Sequence, residues 1–166
     1  MLERALATGE PVPKTVEGLL ASDPILRAYA DWGCGQVTRL LATLRPACRC
    51  RLVLLREGGL RTTASDFPAL AAHCDALLVP IPPLLADQVE LTVAAATADM
   101  GSVSKVEIAA SAQPPACPDS AALVKALSTA ARLGVQAAMV DDYGKIPLSR
   151  LAWIKQAARY AAREST

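Results

Sequence analysis

Asparagine is absent from all 166 residues, and histidine occurs once, at His73. A lone histidine has no second histidine to pair with, and at the end of a short helix it reads as a partner for the last carbonyls rather than a catalytic base. The five cysteines (Cys34, Cys48, Cys50, Cys74 and Cys117) are scattered and form no C-x-x-C pair. No cluster with metal-ligand spacing results, so the thiols read as small, buried and reduced. Aromatic residues are only 4% of the chain and no basic block occurs, which removes the stacking platforms and charged tracks of nucleic-acid binders. No apolar run approaches the ~18 residues of a membrane span. The opening MLERALATGE has no apolar core of a signal peptide, so a cytoplasmic protein without membrane contact is expected.

What the chain does have is alanine, proline and near-neutrality. Hydrophobic residues make up 52%, and 17 basic against 16 acidic residues leave a net charge of +1. Little charge opposes contact between apolar patches, so a homo-oligomer is expected. The length suits one domain with a sizeable core. Residues 1–22, broken at Gly9-Glu10-Pro11-Val12-Pro13, read as a helical arm, and residues 23–166 as one α/β domain.

The central stretch runs from Asp75 to Met100. An apolar strand from Ala76 to Ile81 meets Pro80, Pro82 and Pro83, and a long helix free of proline and glycine follows. Such strand–turn–helix joints are where open α/β sheets place ligands. Upstream, Ile25–Ala30 reads as a strand, Gly33-Cys34-Gly35 as a glycine turn, and Val37–Leu44 as an amphipathic helix. Glycines before a helix let the backbone approach a phosphate. Arg49–Arg56 is the next strand. Thr62, Thr63 and Ser65 after it offer hydroxyls for phosphate, although Ser65 or Asp66 as a helix N-cap explains part of that cluster. Asp87 and Glu90 share one face of the central helix, as solvated charges do. Lys105–Ala110 is a strand, 113–118 a proline-rich loop, and Ala121–Leu133 a helix capped by Asp119 or Ser120 and stopped by Gly134. Val135–Val140 and Leu148–Arg163 close the chain as strand and helix. Strand and helix alternating about five times predicts a Rossmann-like (flavodoxin-like), three-layer, doubly wound parallel sheet of about five strands.

In this order the chain resembles the homo-oligomeric FMN-binding flavoproteins, whose relatives include phosphopantothenoylcysteine decarboxylases and flavoproteins encoded with bacterial microcompartments. The likeness rests on Gly33-Cys34-Gly35, on Asp75 to Pro80 with Ala98-Asp99-Met100, and on Leu133-Gly134-Val135. It implies a trimer or a multiple of it. It also implies FMN, with the phosphate at Gly33, Cys34, Gly35, Thr62, Thr63 and Ser65 and the ring against Pro80, Pro82 and Leu84. The family's asparagine and threonine are missing after the proline turn, and Phe67 stands where its decarboxylases carry a histidine.

Three functions follow as expectations. The first is an FMN-binding flavoprotein, acting as an oxidoreductase, a flavin carrier or a degenerate decarboxylase-like enzyme. The second is a non-catalytic homologue used as an assembly or interaction subunit, with a protein partner. The third is a thiol enzyme built on Cys34 at a helix N-terminus.

Overall fold

The computed structural model describes residues 15–56, 65–81, 86–141 and 145–164. The chain divides into two compact units, residues 1–48 with 58–73 and residues 49–57 with 74–166.

In the first unit Thr15 caps helix α1 (Val16–Ser22), its hydroxyl accepting from the Gly18 N–H at 3.1 Å. Asp23 then ends α1 and starts α2 (Pro24–Leu44), its carboxylate accepting from the N–H groups of Ile25 and Leu26 at 2.8 and 3.3 Å. Pro24 follows in the first turn, where its missing N–H costs nothing. The Arg27 guanidinium donates to the carbonyls of Leu20 and Ala21, tying the end of α1 to α2. Pro46 lies in a 3-10 turn, Arg45–Ala47, that closes α2. A short helix, α3 (Phe67–Leu70), is capped by Asp66 and contacts α2.

These elements correct the reading of residues 25–35. Ile25–Ala30 is helix rather than strand, and Gly33-Cys34-Gly35 is the middle of that helix rather than a turn. An aspartate cap with proline behind it starts a helix strongly, and two interior glycines cost only about 1 kcal/mol each against it.

The second unit holds β1 (Val53–Leu55), β2 (Ala76–Pro80), α4 (Ala86–Met100), β3 (Val106–Ser111), α5 (Ser120–Arg132), β4 (Ala137–Asp141) and α6 (Leu148–Glu164). The four strands form one parallel sheet in the order β1-β2-β3-β4. The architecture is α/β and compatible with a Rossmann-like fold, with four strands among the described residues where about five are expected. A doubly wound sheet reverses its strand order once, and the described strands do not. Right-handed crossovers in one direction carry α4 and α5 to the same face, in keeping with the contacts of α4 with β2, β3 and α5.

Register divides the sheet's side chains cleanly. Leu77, Val79, Val106, Ile108 and Ala110 share one face and are buried. Val53, Leu55, Leu78, Ala109 and Met139 share the other, where Val53, Leu55 and Met139 are exposed. On this second face Arg51 pairs with Glu107, which stands opposite Leu78 of β2. Gly134, with φ at +92°, ends the turn after α5, the left-handed position where glycine is favoured.

Candidate functional site

The cofactor residues read from the sequence fall into three groups. Gly33, Cys34 and Gly35 lie inside α2, where backbone N–H groups are committed to helical hydrogen bonds and present no anion cradle. A Cβ built on Gly35 meets nothing within 4 Å, so no close backbone approach requires glycine there. Cys34 is buried in mid-helix, which removes the N-terminal position that the thiol-enzyme reading needs. Ser65 precedes the Asp66 cap, and Pro80 is half-buried in β2 opposite Ala109. Thr62, Thr63, Pro82 and Leu84 lie outside the described residues. Ser65 and the glycines belong to the first unit and Pro80 to the second.

Two residues that carry the family likeness have structural partners. Asp75 accepts from the Leu52 N–H at 2.8 Å, and its own N–H donates back to the Leu52 carbonyl at 2.8 Å. This reciprocal pair sets the β1–β2 register. Asp99, in the last turn of α4, pairs with Arg56 at 3.1 Å, both side chains largely covered. A carboxylate there opposes the helix dipole, and the guanidinium compensates for it.

The described residues place one polar cluster at the C-terminal end of the sheet, after β3. The Ser111 hydroxyl accepts from the Gln113 N–H at 3.2 Å. The Cys117 N–H closes the loop onto the Gln113 carbonyl at 2.8 Å, and the Cys117 thiol donates to the Asp119 carbonyl at 3.2 Å. From α6 the Arg150 guanidinium clamps the loop, one nitrogen donating to the carbonyls of Ala112 at 2.6 Å and Cys117 at 3.1 Å. Its cation lies 4.5 Å from the centre of the Trp153 ring. Cys117 is fully buried, and that burial raises its thiol pKa above the ordinary 9.0, with nearby Arg150 partly opposing the rise. Such a thiol is a poor nucleophile. The amide nitrogen of Gln113 is buried without a hydrogen-bond partner among the described residues, and it could donate to a ligand carbonyl. No sequence motif marks Arg150, which acts 33 and 38 residues from its partners.

Nothing among the described residues gathers three potential metal ligands, and none of the described helices is long and apolar enough to cross a membrane. None of the five cysteines forms a disulfide, and Cys34, Cys74 and Cys117 are buried.

Among the described residues, the largest group of exposed apolar side chains on one element is on α2. Ile25, Tyr29, Trp32 and Leu40 are 80%, 70%, 60% and 59% exposed. They recur at i, i+4, i+7 and i+15 and therefore form one stripe, roughly 180° around the helix from buried Cys34. Tyr29 and Trp32 stack on each other, ring centres 5.9 Å apart. Soluble surfaces carry single exposed apolar residues routinely, but two stacked aromatics with Ile25 beside them, and Leu40 two turns further on the same side, mark contact with another surface.

No family model, curated protein or solved structure matches the chain.

Proposed function

We infer that this chain is an assembly subunit whose copies associate through α2. The observation that carries the reading is the stripe of Ile25, Tyr29, Trp32 and Leu40, four large side chains left to water along a helix of 21 residues. Covering a side chain of this size contributes about 1.5 kcal/mol or more, so each copy brings roughly 6 kcal/mol to a shared contact. Association costs about 4–15 kcal/mol, so the oligomer is concentration-dependent and each of the four residues matters. A second copy is the occupant because a net charge of +1 leaves like chains with little mutual repulsion. Trimeric closure and a place beside microcompartment proteins extend this reading.

Sedimentation of the full chain tests it. The wild type should show a mass above the monomer that falls on dilution, and Trp32→Glu with Leu40→Glu should give a monomer of unchanged helicity. A monomeric wild type at high concentration would refute the proposal.

One observation favours a second reading, FMN binding. The buried Gln113 amide donor sits at the C-terminal end of β3, the sheet edge where α/β folds hold ligands, and a flavin ring presents carbonyls. The flavin itself would supply the redox chemistry. Absorbance at roughly 450 nm, retained after adding FMN and desalting, would support that reading. Loss of the band in Gln113→Leu would assign the donor.

A further inference from the structure

Helix α6 packs along α5 and buries Ala157. Its opposite face carries Lys155, Arg159 and Arg163 at i, i+4 and i+8, all exposed. With Ala152, Gln156 and Tyr160 they line a hollow of about 370 Å³, and the Arg163 guanidinium lies 5.7 Å from the centre of the Tyr160 ring. Lys155 and Arg159 have no acidic partner among the described residues. Like charges four residues apart repel and weaken a helix. This helix carries two such steps in succession.

We propose that this face of α6 docks an acidic helical segment of another protein, one that presents three carboxylates on successive turns. Glutamates at i, i+4 and i+8 repeat about every 6 Å along a helix, the same rise that separates Lys155, Arg159 and Arg163. Ala152, small and exposed, lies one turn before Lys155 at the start of the hollow.

Three alternatives fit less well. The stripe is about 12 Å long and offers three cations, whereas proteins that hold duplex DNA contact about 6–10 phosphates. Helix α6 holds four basic residues and one acidic, +3 in all, so the rest of a +1 chain carries −2 and offers no basic surround. A lipid surface would need the apolar side of the helix, which is packed on α5. A second copy supplies no match either, since the 16 acidic residues nowhere recur at i, i+4 and i+8. The proposal stands independently of self-association through α2.

Fluorescence anisotropy with the full chain tests it, using a labelled synthetic helical peptide with three glutamates at four-residue spacing and the same peptide with glutamines. The glutamate peptide should bind, more weakly as salt rises, and the glutamine peptide should not. Lys155→Glu, Arg159→Glu and Arg163→Glu together should weaken binding about tenfold or more. Lys125→Glu with Arg132→Glu on α5 should leave it unchanged. Lys155→Gln with Arg159→Gln gives a neutral variant whose melting curve shows that the helix persists, and it should bind about threefold more weakly. Equal binding of the charge-reversed chain or of the glutamine peptide would overturn the proposal. Tighter binding of an oligonucleotide through the same three residues would overturn the choice of partner.

Discussion

Replacing Gly35 by alanine separates the helix seen here from the glycine turn that the sequence suggests. Gly35 lies twelve residues into the 21 of α2, and a methyl group at its Cβ position meets nothing within 4 Å. The substitution therefore adds no clash and removes backbone freedom from the unfolded chain, a gain of about 0.8–1 kcal/mol. One kilocalorie changes the folding equilibrium about fivefold. With a denaturant slope of about 2 kcal/mol/M, the urea midpoint should rise by roughly 0.5 M at unchanged slope. Trp153→Phe would leave Trp32, on α2 itself, as the reporting fluorophore, with far-ultraviolet dichroism as the second probe. Gly134→Ala is the opposing control, because its φ is +92° and an added Cβ would meet Val103 Cγ1 at 3.2 Å. That variant should lose about 1 kcal/mol or more. A fall in midpoint for Gly35→Ala similar to that for Gly134→Ala would refute the helical assignment and restore the turn.

Arg150→Ala removes two charge-assisted hydrogen bonds and a ring contact from the 112–117 loop, a loss of about 2–3 kcal/mol by urea unfolding; Arg150→Lys, without the planar fork, should lose less than half of that. Equal losses would deny the clamp. Burial raises the Cys117 thiol pKa in the folded state, so the unfolded chain gives up its proton first and stability falls as pH rises through and beyond the ordinary thiol value of 9.0. Cys117→Ala should flatten that alkaline decline relative to wild type, and identical slopes above this pH would contradict it. For Arg56 and Asp99, Arg56→Met should cost about 2–3 kcal/mol by leaving a covered carboxylate unpaired at the end of α4, and adding Asp99→Leu should recover most of it. Additive losses in the double variant would show that the two charges are uncoupled.

The parts of the fold legible in the sequence are those where pattern and punctuation agree. Ala76–Pro80 and Val106–Ser111 are short apolar runs bounded by polar residues or turns, and both are strands within a residue or two of the reading. Asp119 caps α5, its carboxylate accepting from the Ala122 N–H at 2.8 Å, and Gly134 follows its end, as residues of those types predict. Residues 25–35 carry two competing signals. Gly33 and Gly35 suggest a turn, but Asp23-Pro24 is the stronger signal and starts a helix that runs through both glycines. The stripe depends on that outcome, because Ile25, Tyr29 and Trp32 have helical spacing only if the helix runs through Ala30. The aspartates that suggested a flavin family show how one signal serves two readings. Asp75 stands before β2, where its carboxylate ties β1 to β2, and Asp99 ends α4 where Arg56 meets it. Both contacts serve the packing of this sheet and its helix, and they hold whether or not a ligand binds. Arg150 had no such signal. Its partners are backbone carbonyls more than 30 residues away, and any residue type supplies a carbonyl, so only the folded chain identifies the clamp.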